Sequence, residues 1–186
     1  MKLLNLWVMT LLLILPAAIQ AQRFPYQNDY AFGLDVSFVK QREDNGEKYM
    51  DTYSTEKPCL QIFRDHGYNW GRIMICNEPT SSRLPQNLQY VISAGQDLKK
   101  YGYYFLLDYM FSNGWANPMV QPTPSAWKDL SHESRVEAVY EYIKVTMTAL
   151  KKAGAMPDMV QIGNEIGNGF LWPDGRIRYD SLQLSK

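Results

Sequence analysis

Histidine and cysteine are scarce, with two of each among 186 residues. His66 and His132 lie far apart, and no cluster has metal-ligand spacing, so the sequence implies no metal. Two cysteines, Cys59 and Cys76, do not make a disulfide framework in a chain of this size. Both have apolar neighbours, which fits buried free thiols, with pairing open to an exported protein. Charge of one sign is also lacking. The 19 basic and 19 acidic residues cancel, leaving no electrostatic case for nucleic acid or an anionic membrane surface. No Gly-rich phosphate fingerprint follows the first apolar stretch, and no cofactor is implied.

Long hydrophobic runs are absent too, except at the start. Met1-Lys2 gives a positive beginning, Leu3 to Ile14 is apolar except for Asn5 and Thr10, and Pro16 to Ala21 supplies a break and a small residue. This reads as a signal peptide over residues 1–21, cut after Ala21, with export to the periplasm or medium. The run is short for a membrane span, and the first cysteine is too distant for lipid attachment at the cleavage site. Residues 22–186 then read as one domain, because no composition shift marks a second.

Aromatics are plentiful at 13%, with 5 Trp and 13 Tyr. Apolar stretches alternate with helical periods. Ala31 to Ser37 reads as a strand, followed by a long polar loop with an Asn45-Gly46 turn. Ser54 or Thr55 is placed to cap a helix with Pro58 in its first turn and Gly67 at its end. His66, just before Gly67, suits a helix terminus better than catalysis. Trp70 to Cys76 reads as a second strand and Leu88 to Lys100 as a helix stopped by Gly102. Tyr103 to Leu107 is a third strand with Asp108 at its tip. A loop rich in Pro and Trp follows. The helix Glu133 to Ala153 presents Val136, Val139, Tyr140, Ile143, Met147 and Leu150 on one face. After Gly154, Met159 to Ile162 reads as a short buried strand.

Strand and helix thus alternate three times before a fourth strand, at spacings of about 35–40 residues that imply parallel pairing through helical crossovers. An open doubly wound sheet is one solution. The other is half of an eight-unit barrel, which typically takes about 250 residues. At the end of the fourth strand, Gly163-Asn164-Glu165 opens into the Gly-rich loop Ile166-Gly167-Asn168-Gly169-Phe170-Leu171-Trp172-Pro173. An apolar strand with an acid at its C-terminal tip and aromatics around it is how a barrel presents a catalytic carboxyl to a sugar.

These residues resemble glycoside hydrolase family 53, the endo-β-1,4-galactanases, over almost all of residues 22–186. The resemblance is strongest from Pro157 to Ile166 with Asn168-Gly169 and Leu171-Trp172-Pro173. Gly33 with Asp35-Val36-Ser37, Asn69-Trp70 with Arg72, Leu106-Leu107-Asp108, Ser112, Trp115-Ala116, Pro118 and Ala126-Trp127 add to it. It implies a (β/α)8 TIM barrel, of which the chain supplies about the first four β/α units. It further implies a retaining endo-acting hydrolase of β-1,4-galactan, a polysaccharide partner, and Glu165 as general acid/base. Asn164, Asp35, Arg72, Asp108, Trp115, Asn168 and Trp172 correspond to substrate-binding positions, with Asp108 also suited to anchoring Arg72. The family's nucleophile lies near the end of a seventh strand, so the 186 residues alone are expected to be inactive. The family's calcium site uses loops later still.

Departures are concentrated near the cleft. The family has His where this chain has Met110, acids at Asn113 and Asn117, Arg at Met74 and Asn at Gly167. Each exchange removes a charge or a hydrogen-bonding group. A carbohydrate-binding remnant without catalysis and a related glycosidase acting on another β-glycan are the alternatives.

Overall fold

The computed structural model describes residues 30–177 except Ser82. The segment assigned to the signal peptide and the residues from 178 onward lie outside that range. Among the described residues, no helix is long and apolar enough to cross a membrane.

Four parallel strands form the central sheet. They are β1 (Gly33–Asp35), β4 (Trp70–Ile75), β5 (Tyr104–Tyr109) and β6 (Met159–Gln161), in the order β1-β4-β5-β6. All pairings are parallel, with Asp35 opposite Arg72, Met74 opposite Asp108, and Asp108 opposite Gln161. The connections run through α2 (Cys59–Asp65), α3 (Leu88–Lys100) and α4 (His132–Lys152). Sequence order equals spatial order, as in a barrel wall. A doubly wound sheet reverses direction at a switch point, and this one does not.

Each long helix starts behind a side-chain cap. The Asn87 side chain accepts from the Tyr90 N–H at 2.9 Å, and Ser131 from the Ser134 N–H at 3.2 Å. Gly102 and Gly154 follow the helix ends with positive φ. The core lies between helices and sheet, with Ile73, Val91, Leu98, Phe105, Leu107, Tyr109 and Leu150 fully buried. Gly71 lets α3 press against β4: a Cβ there would lie 2.4 Å from the Leu98 Cδ2. Trp70 stacks on Tyr104 at 5.1 Å between ring centroids, a structural role.

The chain between β1 and β4 differs from expectation. The polar loop holds a short helix, α1 (Val39–Asp44), and a small hairpin of β2 (Tyr49–Met50) and β3 (Glu56–Lys57). Ser54 and Thr55 are used up in that hairpin, where Thr55 N–H bonds Asp51. They do not cap α2. Instead Pro58 precedes its first turn, and Glu43 reaches across from α1 to accept the Cys59 N–H at 2.8 Å. Both cysteines are buried free thiols.

Two buried faces also prove partly open. Met159, Val160 and Ile162 are exposed, because among the described residues β6 pairs only with β5 and no helix covers it. On α4, Val136 and Tyr140 are exposed while Tyr142, Thr146 and Leu150 are not. The buried arc is turned towards α3 and β5, and the opposite flank has no neighbour among the described residues.

Candidate active site

Parallel strands deliver their C-terminal ends to one rim, and the polar groups there converge on Arg72. Its guanidinium meets the Asp35 carboxylate with Nη1 and the Asp108 carboxylate with Nη2. Nη2 also donates to the Asn164 Oδ1 at 2.9 Å. One side chain on β4 therefore gathers residues of β1, β5 and the segment after β6. The sequence had placed Asp108 at a strand tip. β5 runs on to Tyr109, so Asp108 sits inside the strand with 0% exposure. It contacts Arg72 and is not open to a ligand, which fits the anchoring role over direct substrate contact.

Burial dominates the electrostatics of Asp108. It pushes the carboxyl up to about 6. Arg72 opposes the shift, while the nearby negative charges of Asp35 and Glu165 add to it. Arg72 cannot cancel the burial because it is shared among three oxygen partners. The second Asp108 oxygen, Oδ1, has no hydrogen-bond partner among the described residues.

Asn164 carries this network to Glu165. Its Nδ2 donates to the Ala116 carbonyl at 2.7 Å and approaches the Glu165 Oε2 at 3.4 Å. Below them Gln121, 2% exposed, donates to the Asn164 and Asn117 carbonyls at 2.7 and 3.1 Å. Sequence reading did not single out Gln121; a lone Gln in a Pro-rich loop carries no signal. Glu165 itself is exposed and stands at φ 54°. The left-handed backbone is costly for a residue with a side chain. It turns the chain sharply after Asn164 and leaves the carboxylate at the rim, a geometry seen at sites where position matters more than stability.

The aromatic residues divide. Trp127 is buried as a loop anchor against Tyr142, whereas Trp115 is about half exposed at 49%. Trp172 donates through Nε1 to the Asn168 carbonyl at 3.1 Å, and Arg176 stands 4.2 Å from its ring centroid. One ring face is thus occupied by a cation. Asn168 braces the same loop through its Nδ2, at 3.3 Å from the Pro118 carbonyl.

The departures from the family pattern have structural explanations. Met74 and Met110 are both about 1% exposed and pack together with Cys76, Ala116 and Phe38. Both methionines thus belong to one sulfur-rich apolar cluster behind the rim. Asn113 donates to the Asn77 carbonyl at 2.6 Å and accepts from the Ser125 N–H at 2.7 Å. Asn117 accepts from the N–H groups of Met119 and Val120 at 2.9 and 3.1 Å. Both asparagines fasten the loop after β5 instead of lining the cleft. Among the described residues, no group of three or more His, Cys, Asp or Glu could hold a metal ion.

The sequence profile of Glycosyl hydrolase family 53 matches residues 31–185. The chain belongs to that family. Its match to the Ignisphaera aggregans GH53 catalytic domain has a TM-score of 0.75 at 36% identity, covering 80% of this chain and 43% of that one. A structure from a study of two fungal β-1,4-galactanases also aligns with a TM-score of 0.75, at 31% identity over 80% of this chain and 44% of that chain. An endo-β-1,4-galactanase of Bacillus subtilis (strain 168) is 32% identical over 148 residues, 76% of this chain and 34% of that protein. An uncharacterized protein of Niallia circulans is 36% identical over 148 residues, 80% of this chain and 40% of its own length. The chain thus spans less than half the length of these relatives. The four-stranded wall is the corresponding part of the family's TIM barrel, and the rim around Arg72 lies at the face where such barrels place their active sites.

Proposed function

We propose that this chain supplies the acid/base half of a retaining endo-β-1,4-galactanase, with Glu165 as the general acid/base. The observation that carries this is Glu165 exposed at the end of the fourth parallel strand, beside an Asn164 fixed by Arg72 and Ala116. A retaining mechanism needs one carboxyl that first donates a proton to the leaving oxygen and then takes one from water. Its partner is a nucleophilic carboxylate about 5–5.5 Å away. By family resemblance that partner comes from the seventh strand, outside these residues. In this reading Asn164, 6% exposed and held by Arg72 and Ala116, braces the Glu165 carboxylate at the rim. Trp115 and the uncovered face of Trp172 offer apolar surfaces for sugar rings. Export through residues 1–21 would bring the protein to a polysaccharide that cannot enter a cell.

The test is hydrolysis by the full-length protein across β-1,4-galactan, mannan, xylan and cellulose. Galactan is expected to be preferred. Glu165→Gln is expected to lower galactan turnover by about 10²–10⁴-fold. With an aryl galactoside whose leaving group needs no proton, the variant should form the glycosyl-enzyme and stall, and azide should restore turnover. Glu165→Gln turning over galactan at the parent rate would remove the assignment. N-terminal sequencing of secreted protein, expected to begin at Gln22, tests the export reading separately.

A further inference from the structure

We propose that Gln121 is a positioning residue for proton transfer at Glu165, one that aims the carboxyl by fixing the backbone on both sides of it. The proposal rests on the acid/base reading of Glu165. That carboxylate has little else to direct it. Among the described residues its one side-chain hydrogen-bond partner is the Asn164 amide, 3.4 Å away. Its direction is therefore set largely by the backbone, which stands in the left-handed region at φ 54°. That conformation is costly for a residue with a side chain, and it persists only where the surroundings impose it.

Gln121 supplies the restraint. Its Nε2 donates to the Asn164 carbonyl at 2.7 Å and lies 3.4 Å from the Glu165 carbonyl. Among the described residues no other donor reaches either oxygen. The first oxygen belongs to the peptide plane between Asn164 and Glu165, the second to the plane between Glu165 and Ile166. A peptide plane is rigid, so holding its oxygen fixes the dihedral angles beside it. The two contacts together define φ and ψ of Glu165. Without Nε2 the Asn164 carbonyl is left buried and unpaired. Turning that plane over then relieves both the unpaired oxygen and the left-handed strain, and the carboxylate leaves its place at the rim.

Gln121 is itself held firmly enough to serve as the reference point. It is 2% exposed. Its side chain also donates to the Asn117 carbonyl at 3.1 Å, and the turn leading into it is closed between Asn117 and Val120 at 2.9 and 3.0 Å. Its own carbonyl accepts the Trp172 N–H at 2.7 Å. The side chain thus holds the acid/base turn, while the main chain holds the loop that carries Trp172. A substitution at position 121 removes the first hold and leaves the second, which separates proton donation from sugar binding.

The test is made in the full-length protein with Gln121→Met, which keeps the length of the side chain and removes its donors, and with Gln121→Leu as a second donor-free variant. Rates are compared on a phenyl galactoside, whose leaving group needs a proton, and a dinitrophenyl galactoside, whose leaving group does not. Both variants are expected to lower kcat/KM on the phenyl substrate by about 10–10²-fold and to stay within about twofold of the parent on the dinitrophenyl one. KM for galactan should be unchanged. The ratio of the two rates does not depend on how much of a variant is folded, so partial unfolding cannot imitate the result. Equal losses on the two substrates, or no loss on either, would overturn the proposal and leave Gln121 as a brace of its loop alone. Glu165→Gln, measured alongside, should show the same substrate dependence more strongly. If it shows none, the acid/base reading itself falls; dependence in Glu165→Gln but not in the Gln121 variants removes only this inference.

Discussion

Replacing Asp108 by Asn should alter the pH dependence of stability more than stability at any one pH. In the folded protein burial raises this carboxyl from 3.8 to about 6. A carboxyl whose folded pKa is raised contributes stability in full below its unfolded pKa, and that contribution is lost as pH rises through the folded value. The window here therefore runs from about pH 4 to about pH 6. At about 1.4 kcal/mol per pH unit between the two values, the full loss is about 3 kcal/mol. Asp108 has no exposed surface, so solvent screening removes little of it. Asn cannot ionise, yet its amide oxygen can still accept from Arg72. Urea unfolding followed by tryptophan fluorescence at about pH 4 and pH 7.5 would compare the two proteins. Part of the unfolded-state titration is already complete at the lower pH, so the wild type should lose about 2 kcal/mol more than Asp108→Asn over that interval. A stability difference independent of pH would refute the reasoning. A change of opposite sign would show that the Arg72 ion pair outweighs burial.

Gln121→Leu should cost about 1–3 kcal/mol, because it strips a buried donor from the Asn164 and Asn117 carbonyls; chemical denaturation measures it, and the variant should also lose activity in the full-length protein. At Glu165, φ is 54°, so Glu165→Gly should be more stable than Glu165→Ala by about 1 kcal/mol, while neither hydrolyses galactan. Gly71→Ala places a Cβ 2.4 Å from the Leu98 Cδ2 and should cost about 1–3 kcal/mol as α3 is pushed from the sheet. Equal stability of that variant and its parent would mean that α3 shifts at no cost.

The sequence carried the repeating frame well because its signals are local. The helix Leu88–Lys100 follows from periodicity and a glycine at a left-handed position, whereas the strand read as Tyr103 to Leu107 runs from Tyr104 to Tyr109. Glu165 stood out as a candidate because strand, acid and glycine-rich loop are contiguous. What could not be read was set by contacts distant in sequence. Glu43 caps α2 from another element, so the nearer candidates Ser54 and Thr55 were misleading. Met159 and Val160 look like core residues, yet their exposure depends on what lies beside β6, which composition does not encode. Asn113 and Asn117 looked like lost cleft acids, and only the path of the loop after β5 shows them fastening backbone. That Met74 and Met110 share one cluster likewise emerges only when the register brings them together.

Arg72 also bears on how these strands find one another during folding. Ile73 to Ile75 and Leu106-Leu107 are apolar on both sides, and such runs discriminate poorly between alignments one residue apart. Their pairing spans long crossovers, which makes the search slow. A slip of one residue moves a strand-end group by about 3.3 Å and turns it to the opposite face. Only the native alignment brings Asp35, Asp108 and Asn164 to one guanidinium. In a slipped sheet a charge is left buried and alone, at a cost of about 3–5 kcal/mol. The cluster that holds the rim in the finished protein thus rejects misaligned sheets while it is being assembled.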